Sequence, residues 1–389
     1  MFFRSIDSCA GEFESKSNYI YSTIHANHHE IEPLDKKQGK IITLGSSAIK
    51  IGQGIEFDYA SVHAVKSLKN LGYSTIMINN NPETISTDYN LADRLYLEPL
   101  FAENIKAIYD FENADGILIQ FGGQTALNVA NELELMRLKI LGTDLNSIDT
   151  SEDRYKFSNF LDSLNIKRPN EIFCSVLDAK SKISINFPVI IRPSYVIGGS
   201  KMKVIYNQSE LVEYLQNHDQ NEMIFIDEFI DGIEFEIDLV SNGKGVFIPI
   251  IAEHIEPAGV HSGDSQVLYP AKNITKNQSE KIHQYADIIA KNLNILGLMN
   301  IQFIIKNDEI YIIEINVRSS RTIPIINKVC GINMVDLAIQ AIFQGEFSTP
   351  QMKIKPAIKK PIFSNHKITQ ELISLDPEMR STGEILQWI

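Results

Sequence analysis

The segment from Asn300 to Arg318, which reads NIQFIIKNDEIYIIEINVR, has the residue types and spacing that most directly suggest chemistry. Two apolar runs flank a turn-forming group at residues 306–309, so the segment is predicted to form a β-hairpin. Successive side chains of a strand point to opposite faces, and this alternation places four polar side chains on one face of the hairpin. These side chains belong to Gln302, Glu314, Asn316 and Arg318.

The apolar residues of the same segment determine the expected register. They are Ile301, Phe303 and Ile305 in the first strand and Tyr311, Ile313 and Ile315 in the second. If all of them share a buried face, the strands pair about residue 308, because a one-residue slip would bury the carboxylate instead. Gln302 then lies opposite Glu314. Asn300 lies opposite Asn316.

A carboxylate, two amide oxygens and a guanidinium would therefore meet at the open end of an apolar ribbon. Mg²⁺ suits this set, because it takes few protein oxygens and completes its octahedron with phosphate oxygens and water. The arginine would lie beside a phosphoryl group. A half-solvated hairpin whose outer face is merely polar is the alternative.

Length, charge and cysteine content limit the class of protein. A chain of 389 residues is expected to hold two or three domains. The net charge of −13 and the pI near 5.2 argue against nucleic-acid binding, which requires a basic face. The three cysteines form no C-x-x-C pair, and no apolar run reaches the roughly 18 residues of a membrane span. We therefore expect a cytoplasmic protein without a zinc site, a disulfide framework or a membrane anchor.

The order of the elements predicts an α/β chain, in which a parallel-sheet domain is followed by an α+β domain. Residues 1–36 lack clear periodicity and are expected to form an irregular lead segment. In residues 37–150, strands such as KIITLG, STIMIN and GILIQF alternate with amphipathic helical stretches, which is typical of a parallel sheet. Residues 151–348 contain a helix and then several antiparallel strands. The proline-containing residues 349–389 are interpreted as a linker and tail.

Four other segments suit chemistry, each with a plainer alternative. The strand PVIIRP leads to paired glycines whose backbone suits phosphate, although such glycines more often mark a hairpin. Acids alternate with apolar residues from Glu234 to Asp238, which also describes a strand with one wet face. Polar residues at 79–84 and 261–265 suit either a site or a surface turn. The first strand is not followed by G-x-G-x-x-G, so NAD is disfavoured.

Six segments together resemble one family, the carbamoyl-phosphate synthetase large chain. They are GQGIEFDYASVHAV, INNNPETISTDYNLADRLYLEPL, IQFGGQTALN, RPSYVIGG, EHIEPAGVHSGDS, and GLMNIQF followed by EINVRSSRT, and they occur in the family's order. The resemblance runs from about Asp7 to Glu384 and is to the carboxy-terminal half, which synthesises carbamoyl phosphate. It implies a pre-ATP-grasp domain followed by an ATP-grasp domain.

The resemblance also implies roles for individual residues. The nucleotide would be contacted by Arg154, Arg192, Gly198, Gly199, Glu228, Ile230, Glu234, Gly259, Val260, His261, Ser262, Gln302 and Glu314. Glu228 and Ile230 would frame the adenine, and Glu234 would hold the ribose. Gln302, Glu314 and Asn316 would bind Mg²⁺ or Mn²⁺. Arg318, Arg192 and Asn316 would act in catalysis.

The sequence departs from the family pattern at several positions. Val317 replaces the usual proline of E-x-N-P-R, and Ser200 replaces the usual arginine after Gly-Gly. Ser-Ala stands at 47–48, where glycine-proline is usual. The chain is also one residue short between Glu228 and Glu234. The amino-terminal half, the oligomerisation segment and the allosteric domain of the family are expected to be missing from this chain.

The activity that the resemblance implies is phosphorylation of carbamate by ATP, which gives carbamoyl phosphate and ADP for arginine and pyrimidine biosynthesis. The expected partners are a separate polypeptide that supplies the amino-terminal half and a glutaminase subunit. Two alternatives remain open: an ATP-grasp ligase for another carboxylate, and a non-catalytic subunit or fragment of a split synthetase.

Overall fold

The computed structural model describes residues 1–7, 9–13, 17–48, 56–181, 186–193, 203–216, 218–363, 381 and 383–389. Within these ranges the chain forms three β-sheets with helices packed against them. The first sheet is built from residues before 142, and the other two are built from the rest of the chain.

The first sheet is mostly parallel. Its strands are β1 (Phe2–Ser5), β2 (Tyr19–Thr23), β3 (Lys40–Leu44), β4 (Ser74–Ile78), β5 (Arg94–Tyr96), β6 (Gly116–Leu118) and β7 (Ile140–Leu141). Their spatial order is β1-β2-β5-β4-β3-β6-β7, and only the β1–β2 pair is antiparallel among these described strands. Strands β3 and β4 are buried along their whole length, as expected of parallel strands covered on both faces.

Helices follow these strands in the predicted alternation. They are α1 (Glu56–Asn70), α2 (Ala102–Glu112), α3 (Gly123–Leu127), α4 (Ala130–Leu135) and α5 (Leu145–Glu152), with a short 3₁₀ helix at Ile85–Thr87. The prediction of a parallel α/β unit is confirmed, because the strands KIITL, STIMI and GIL are neighbours in one sheet.

The lead segment is more regular than its sequence indicates. Strands β1 and β2 form an antiparallel pair, and β2 then pairs with β5 of the parallel sheet. The expectation of an irregular segment at residues 1–36 is therefore wrong for these two strands. Their length explains the missed pattern, because four or five residues are too few for a clear period.

The second part of the chain begins with helix α6 (Arg154–Ser163) and a four-stranded antiparallel sheet. The strands of this sheet are β8 (Glu171–Ser175), β9 (Val189–Pro193), β10 (Lys203–Ile205) and β11 (Met223–Glu228), and its helices are α7 (Val176–Ser181) and α8 (Gln208–Leu215). The spatial order is β10-β9-β11-β8.

An eight-stranded antiparallel sheet follows, with β12 (Ile233–Asn242), β13 (Val246–Phe247), β14 (Ile251–His254), β15 (Val267–Tyr269), β16 (Leu296–Lys306), β17 (Glu309–Asn316), β18 (Ala357–Ile362) and β19 (Gly383–Trp388). Its order is β17-β16-β12-β14-β15-β18-β19, and β13 pairs with β12. Its helices are α9 (Lys276–Asn292), α10 (Ile323–Cys330) and α11 (Met334–Gln344). The interpretation of residues 349–389 as a linker is corrected, because β18 and β19 extend this sheet.

A shared apolar core holds the first sheet against the large sheet. Ile42 and Ile117 of the first sheet belong to the same buried cluster as Phe235 and Ile301 of the large sheet. The continuous core fixes the first sheet relative to the hairpin β16–β17.

None of the described helices is long and apolar enough to cross a membrane alone, and α10 with α11 reaches that length only as a pair bent by 104°.

The predicted register of this hairpin is confirmed at its open end. Asn300 pairs with Asn316, and Gln302 pairs with Glu314. Toward the turn the register shifts at a β-bulge, and Phe303 pairs with Ile312 instead of Ile313. The bulge arises because β17 carries one more residue than its partner between these two regions.

The bulge moves Tyr311 and Ile313 away from the face on which they were expected. Ile310 and Ile312 are buried with Phe303 in the main core. Tyr311 and Ile313 pack on the opposite face, against a small cluster made of Ile230, Ala258 and Ile304. The expectation that they share the face of Ile301, Phe303 and Ile305 is therefore wrong.

Candidate functional site

The open end of the hairpin brings the predicted metal-site residues together. Gln302 lies opposite Glu314, and Asn316 is the second residue after Glu314 on the same strand. The Asn316 Nδ2 atom donates a hydrogen bond to Glu314 Oε1 at 3.0 Å. The Arg318 Nη2 atom donates to Asn316 Oδ1 at 2.9 Å. The carboxylate, the amide and the guanidinium therefore form one connected group.

The chemistry of this group fits a hard divalent cation. Its oxygen donors are the carboxylate of Glu314, which is exposed, and the amides of Gln302 and Asn316. Among the described residues, no three His, Cys, Asp or Glu side chains are grouped so as to hold a metal ion by themselves. Mg²⁺ needs no such group, because it commonly keeps one or two carboxylates together with phosphate oxygens and water.

Two buried carboxylates lie next to this group on β12. Glu236 is paired across the strands with Gln302, and Asp238 is paired with Asn300. Their exposed fractions are only 5% and 1%. The interpretation of these acids as the wet face of a strand is therefore wrong. Polar groups from β14 and from the loop that follows β17 cover these two acids. Such contacts between distant segments leave no periodic signal in the sequence of β12.

Glu236 has hydrogen-bond partners on three different segments. The Asn300 Nδ2 atom donates to Glu236 Oε1 at 2.6 Å, and Thr322 Oγ1 lies 3.2 Å from the same oxygen. The His254 Nε2 atom lies 3.3 Å from Glu236 Oε2. Asn316 Nδ2 donates to Asn300 Oδ1 at 3.5 Å, so this carboxylate is linked to the metal-site residues.

Asp238 receives two hydroxyl groups from the loop that follows β17. The Ser320 Oγ atom donates to Asp238 Oδ1 at 2.5 Å, and Thr322 Oγ1 donates to Asp238 Oδ2. Burial, and then the neighbouring charge of Glu236, raise the pKa of Asp238 to about 7. Burial is the largest single influence on Glu236 and opposes its ionisation, but the hydrogen bond and charge of His254, the hydrogen bond from Asn300 and the charge of Lys359 together lower the pKa of that carboxyl. Glu236 is therefore the ionised member of the pair.

The raised pKa of Asp238 predicts a pH-dependent loss of stability. The folded chain keeps a proton on this carboxyl between about pH 4 and 7, where the unfolded chain has lost it, so the free energy of unfolding falls as pH rises through this window. Asp238→Asn removes this titration. In urea unfolding from pH 5 to 8, we expect the stability of the wild type to fall relative to that of Asp238→Asn.

Glu309→Gln is the matched control for that experiment. Glu309 is an exposed-edge carboxyl of the same sheet whose pKa is lowered by its hydrogen bond to Lys167, so it stays ionised throughout this pH range. We expect the stability difference between wild type and Glu309→Gln to be constant with pH. A constant difference for Asp238→Asn as well would show that Asp238 has an ordinary pKa.

Glu234, assigned to the ribose, and Ile230, one of the two residues assigned to the adenine, lie beside the metal-site group. Gly259 N donates to Glu234 Oε1 at 3.1 Å, which attaches the 259–262 loop to the start of β12. Burial raises the pKa of Glu234, although the nearby His254 opposes this effect. Ile230 is buried in the small apolar cluster with Ala258 and Ile304. The small apolar cluster and the carboxylate of Glu234 are therefore neighbours on the face of the large sheet that carries Gln302.

The 259–262 loop is held by residues from two later segments. The Lys359 Nζ atom donates to the carbonyl oxygen of Ser262 at 2.7 Å, and the Arg321 Nη2 atom lies 3.5 Å from His261 Nε2. Burial, and then the positive charges of Arg321 and Lys359, lower the pKa of His261 to about 3. His261 is therefore neutral at physiological pH. Val260 is half-buried beside it.

Arg154 is not gathered with the hairpin residues. It begins α6, and its guanidinium forms salt bridges with Asp227 at 2.6 Å and with Glu171 at 3.1 Å. Its guanidinium carbon also lies 5.4 Å from the centre of the Phe225 ring. These partners belong to β8 and β11, so Arg154 lies against the four-stranded sheet.

The other residues predicted to contact the nucleotide lie on the four-stranded sheet or outside the described residues. Glu228 ends β11, where its Oε2 atom accepts a hydrogen bond from Asn170 Nδ2 at 2.6 Å. Arg192 lies on β9, and its backbone is opposite Phe225. Gly198, Gly199 and Ser200 lie outside the described residues. The structure therefore brings together the hairpin, the 259–262 loop and the start of β12, with Glu228 and Arg192 on a different sheet.

Sequence reasoning missed three residues that lie around the hairpin group and the neighbouring acids of β12. Gln124 accepts a hydrogen bond from Arg318, Glu152 accepts one from Gln124, and His254 lies between Glu234 and Glu236. Gln124 and His254 stand in the segments GGQT and EHIE, which carry the resemblance to the family, so that resemblance was the signal that could have identified them. The periodicity of the sequence around Gln124, Glu152 and His254 does not indicate that these residues lie near the hairpin.

Comparison with known proteins gives the same division of the chain into two parts. Residues 37–150 match the family described as the carbamoyl phosphate synthase preATP-grasp domain. Residues 153–346 match the family described as the carbamoyl-phosphate synthase L chain, ATP binding domain. The carbamoyl phosphate synthase large chain of Thermoanaerobacter pseudethanolicus is 46% identical over 397 residues, which cover 99% of this chain and 37% of that relative. The chain thus spans little more than a third of that protein's length.

Solved structures with low sequence identity share the fold. The ADP complex of purK, an N5-carboxyaminoimidazole ribonucleotide synthetase, has a TM-score of 0.65 at 15% identity and covers 92% of this chain and 93% of that chain. The N5-carboxyaminoimidazole ribonucleotide synthetase of Thermotoga maritima has a TM-score of 0.63 at 18% identity, covering 84% and 81%. The fold is that of the ATP-grasp class. Within this class, the chain belongs to the family of carbamoyl phosphate synthase large chains.

Proposed function

We propose that this chain phosphorylates carbamate with ATP, forming carbamoyl phosphate and ADP, as the synthetic half of a carbamoyl phosphate synthase. The hydrogen-bonded series Glu314–Asn316–Arg318 at the open end of the hairpin is the observation that carries the proposal. It supplies metal-binding oxygens and a guanidinium within one connected group. The family of the chain supports the choice of ATP and of carbamate.

In this proposal, Gln302, Glu314 and Asn316 hold Mg²⁺ or Mn²⁺. The metal ion neutralises the negative charge that the phosphate oxygens bring into the site. Arg318 binds the transferring phosphoryl group, and Asn316 fixes the direction of its guanidinium. Phosphoryl transfer requires little covalent chemistry from a protein, so positioning and charge provide most of the stabilisation.

The nucleotide is bound by residues on both sides of this group. Ile230 and Glu228 contact the adenine, Glu234 holds the ribose, and Arg154 and Arg192 contact the nucleotide from the four-stranded sheet. The remaining proposed contacts are those of Gly198, Gly199, Gly259, Val260, His261 and Ser262. The neutral state of His261 supports this assignment, because a neutral ring can accept a hydrogen bond as well as donate one.

The partners and the location are further parts of the proposal. The chain spans 37% of its relative, which supports cooperation with a polypeptide that provides the amino-terminal half and with a glutaminase that provides ammonia. The net charge of −13 supports a small-molecule substrate rather than nucleic acid. Arginine and pyrimidine biosynthesis and the cytoplasm remain predictions.

The reverse reaction tests the proposal on the isolated chain. A catalyst of carbamate phosphorylation also accelerates its reverse, so we expect ATP to form from carbamoyl phosphate and Mg-ADP, without bicarbonate or a glutaminase. Luciferase detection of ATP would measure it. Normal ADP binding without ATP formation would contradict the proposal and favour a non-catalytic subunit. ADP release that requires another carboxylate, and not carbamate, would instead identify a different ATP-grasp ligase.

A further inference from the structure

The guanidinium of Arg318 is held partly by the first domain. The Arg318 Nε atom donates to the Gln124 Oε1 atom at 3.1 Å, although these residues are 194 positions apart. Its Nη2 donates to Asn316 Oδ1 at 2.9 Å, and its Nη1 donates to the carbonyl oxygen of Ser319 at 3.2 Å. Each of the three nitrogens has an acceptor in a different direction, so the plane of the guanidinium is fixed.

An aromatic ring of the first domain covers one side of this arginine. Phe57 is the second residue of α1. The guanidinium carbon of Arg318 lies 5.5 Å from the centre of the Phe57 ring. Gly123 permits this packing, because it has a φ of +68° and a Cβ atom there would lie 2.7 Å from the Phe57 ring. Arg318 is thus positioned by a ring as well as by hydrogen bonds.

The amide of Gln124 is itself oriented toward Arg318. Its Nε2 atom donates to Glu152 Oε2 at 3.0 Å and to Asn128 Oδ1 at 3.2 Å. With both amide hydrogens engaged on the side of the carboxylate, the amide oxygen faces the arginine. Glu152 therefore orients Gln124, and it also interacts with the guanidinium of Arg318 by charge, without a hydrogen bond of its own to Arg318 among the described contacts.

The backbone on both sides of Arg318 is also tied to the first domain. The Gln120 Nε2 atom donates to the carbonyl oxygen of Val317 at 3.1 Å. The backbone N–H of Ser319 donates to the carbonyl oxygen of Gln120 at 2.9 Å. This contact uses the carbonyl oxygen of residue 317, which a proline would also provide. It is therefore unaffected by the presence of Val317 in place of the family's usual proline.

We infer that Gln124 is a positioning residue for Arg318, and that the first domain therefore contributes to phosphoryl transfer; this inference rests on the function proposed above. A neutral amide is suited to the task. It directs the Nε–H group but leaves the positive charge of the guanidinium available to the phosphoryl group, whereas a carboxylate at the same place would neutralise that charge. A displacement of about 1 Å is enough to cost roughly 10²-fold in rate.

A double-mutant experiment tests this inference in the ATP-forming reaction. Gln124→Met retains the length of the side chain and removes the acceptor, so we expect kcat to fall roughly 10- to 100-fold with little change in the KM for ADP. Arg318→Lys lacks the Nε–H group that Gln124 binds. In that background, Gln124→Met is expected to cause no further loss, because its partner is already gone. Equal losses in both backgrounds would show that Gln124 acts through folding and would overturn the inference.

Gln38→Met is the matched control, because it makes the same chemical change at an exposed glutamine of the first domain, whose Nε2 atom donates to the Tyr73 hydroxyl at 3.5 Å. We expect its kcat to stay within about twofold of wild type. A loss as large as that of Gln124→Met would contradict a role through Arg318. No loss in Gln124→Met would contradict it as well.

A binding measurement separates this inference from the proposed reaction. Fluoroaluminate with Mg-ADP mimics a transferring phosphoryl group without any carbamoyl substrate. We expect Gln124→Met to weaken the fluoroaluminate complex roughly tenfold while leaving the affinity for Mg-ADP alone unchanged. A wild type that makes no ATP but shows this difference would refute the proposed substrate and keep the inference. Equal fluoroaluminate affinity in both proteins, or none in the wild type, would overturn it.

Discussion

Arg318→Ala is expected to lower the rate of ATP formation from carbamoyl phosphate and Mg-ADP by roughly 10³-fold or more, as loss of a positioned arginine does in other phosphoryl transfers. The physical reason is that this guanidinium is fixed by Asn316 and Gln124 before the substrate arrives. Little reorganisation is then needed when charge moves between the two phosphates. Initial rates at saturating Mg-ADP would measure the effect.

Arg137→Ala provides the comparison for that variant. Arg137 is an exposed arginine of the first domain, and its removal changes the net charge by the same amount. We expect its rate to remain close to that of wild type. If Arg318→Ala retained most of the activity, Arg318 would have no role at the phosphoryl group, and the proposed site would have to lie elsewhere.

Glu314→Gln is expected to reduce turnover much more than nucleotide binding. The substitution keeps the shape of the side chain and its bond to Asn316 but removes the negative charge that a metal ion requires. Loss of an outer-shell partner already costs about 10- to 100-fold in other metal sites, so we expect a loss of at least roughly 10²-fold here. The shift in melting temperature on adding Mg-ADP would report binding, since a ligand of the folded state stabilises it.

Glu309→Gln is the matched variant, because it makes the same chemical change on the same strand. Glu309 forms a salt bridge with Lys167 at the other end of β17, remote from the pairing of Gln302 with Glu314. Both its turnover and its melting shift are expected to resemble those of wild type. Equal loss of melting shift and turnover in Glu314→Gln would indicate local collapse rather than loss of a metal ligand.

The sequence predicted the register at the open end of the hairpin better than the register near its turn. The opposition of Gln302 to Glu314 was derived from a simple rule, that a slip of one residue would bury a carboxylate. The rule assumes an uninterrupted period of two. It therefore placed Tyr311 and Ile313 on the wrong face, because the bulge interrupts that period and all the residues concerned are apolar.

Contacts between distant segments were beyond the reach of the sequence. The acids at 236 and 238 alternate as a solvated strand would, yet Thr322 and Ser320 cover them from a loop more than eighty positions away. The bond between Gln124 and Arg318 joins two domains in the same manner. Periodicity reports which face a residue occupies within its own element, and it contains no information about which other element covers that face.

The bulge in β17 also sets the spacing of side chains along this surface. In a regular strand, residues that share a face are two positions apart, which is about 7 Å along the strand. Here Ile313 packs with Ile304 while its immediate neighbour Glu314 pairs with Gln302, so an apolar and an acidic side chain lie about 3.8 Å apart along the backbone. The bulge therefore shortens one of the intervals between side chains on this face of the hairpin. Deleting the extra residue would restore the regular interval, with about 7 Å between Glu314 and the next apolar side chain on the same face.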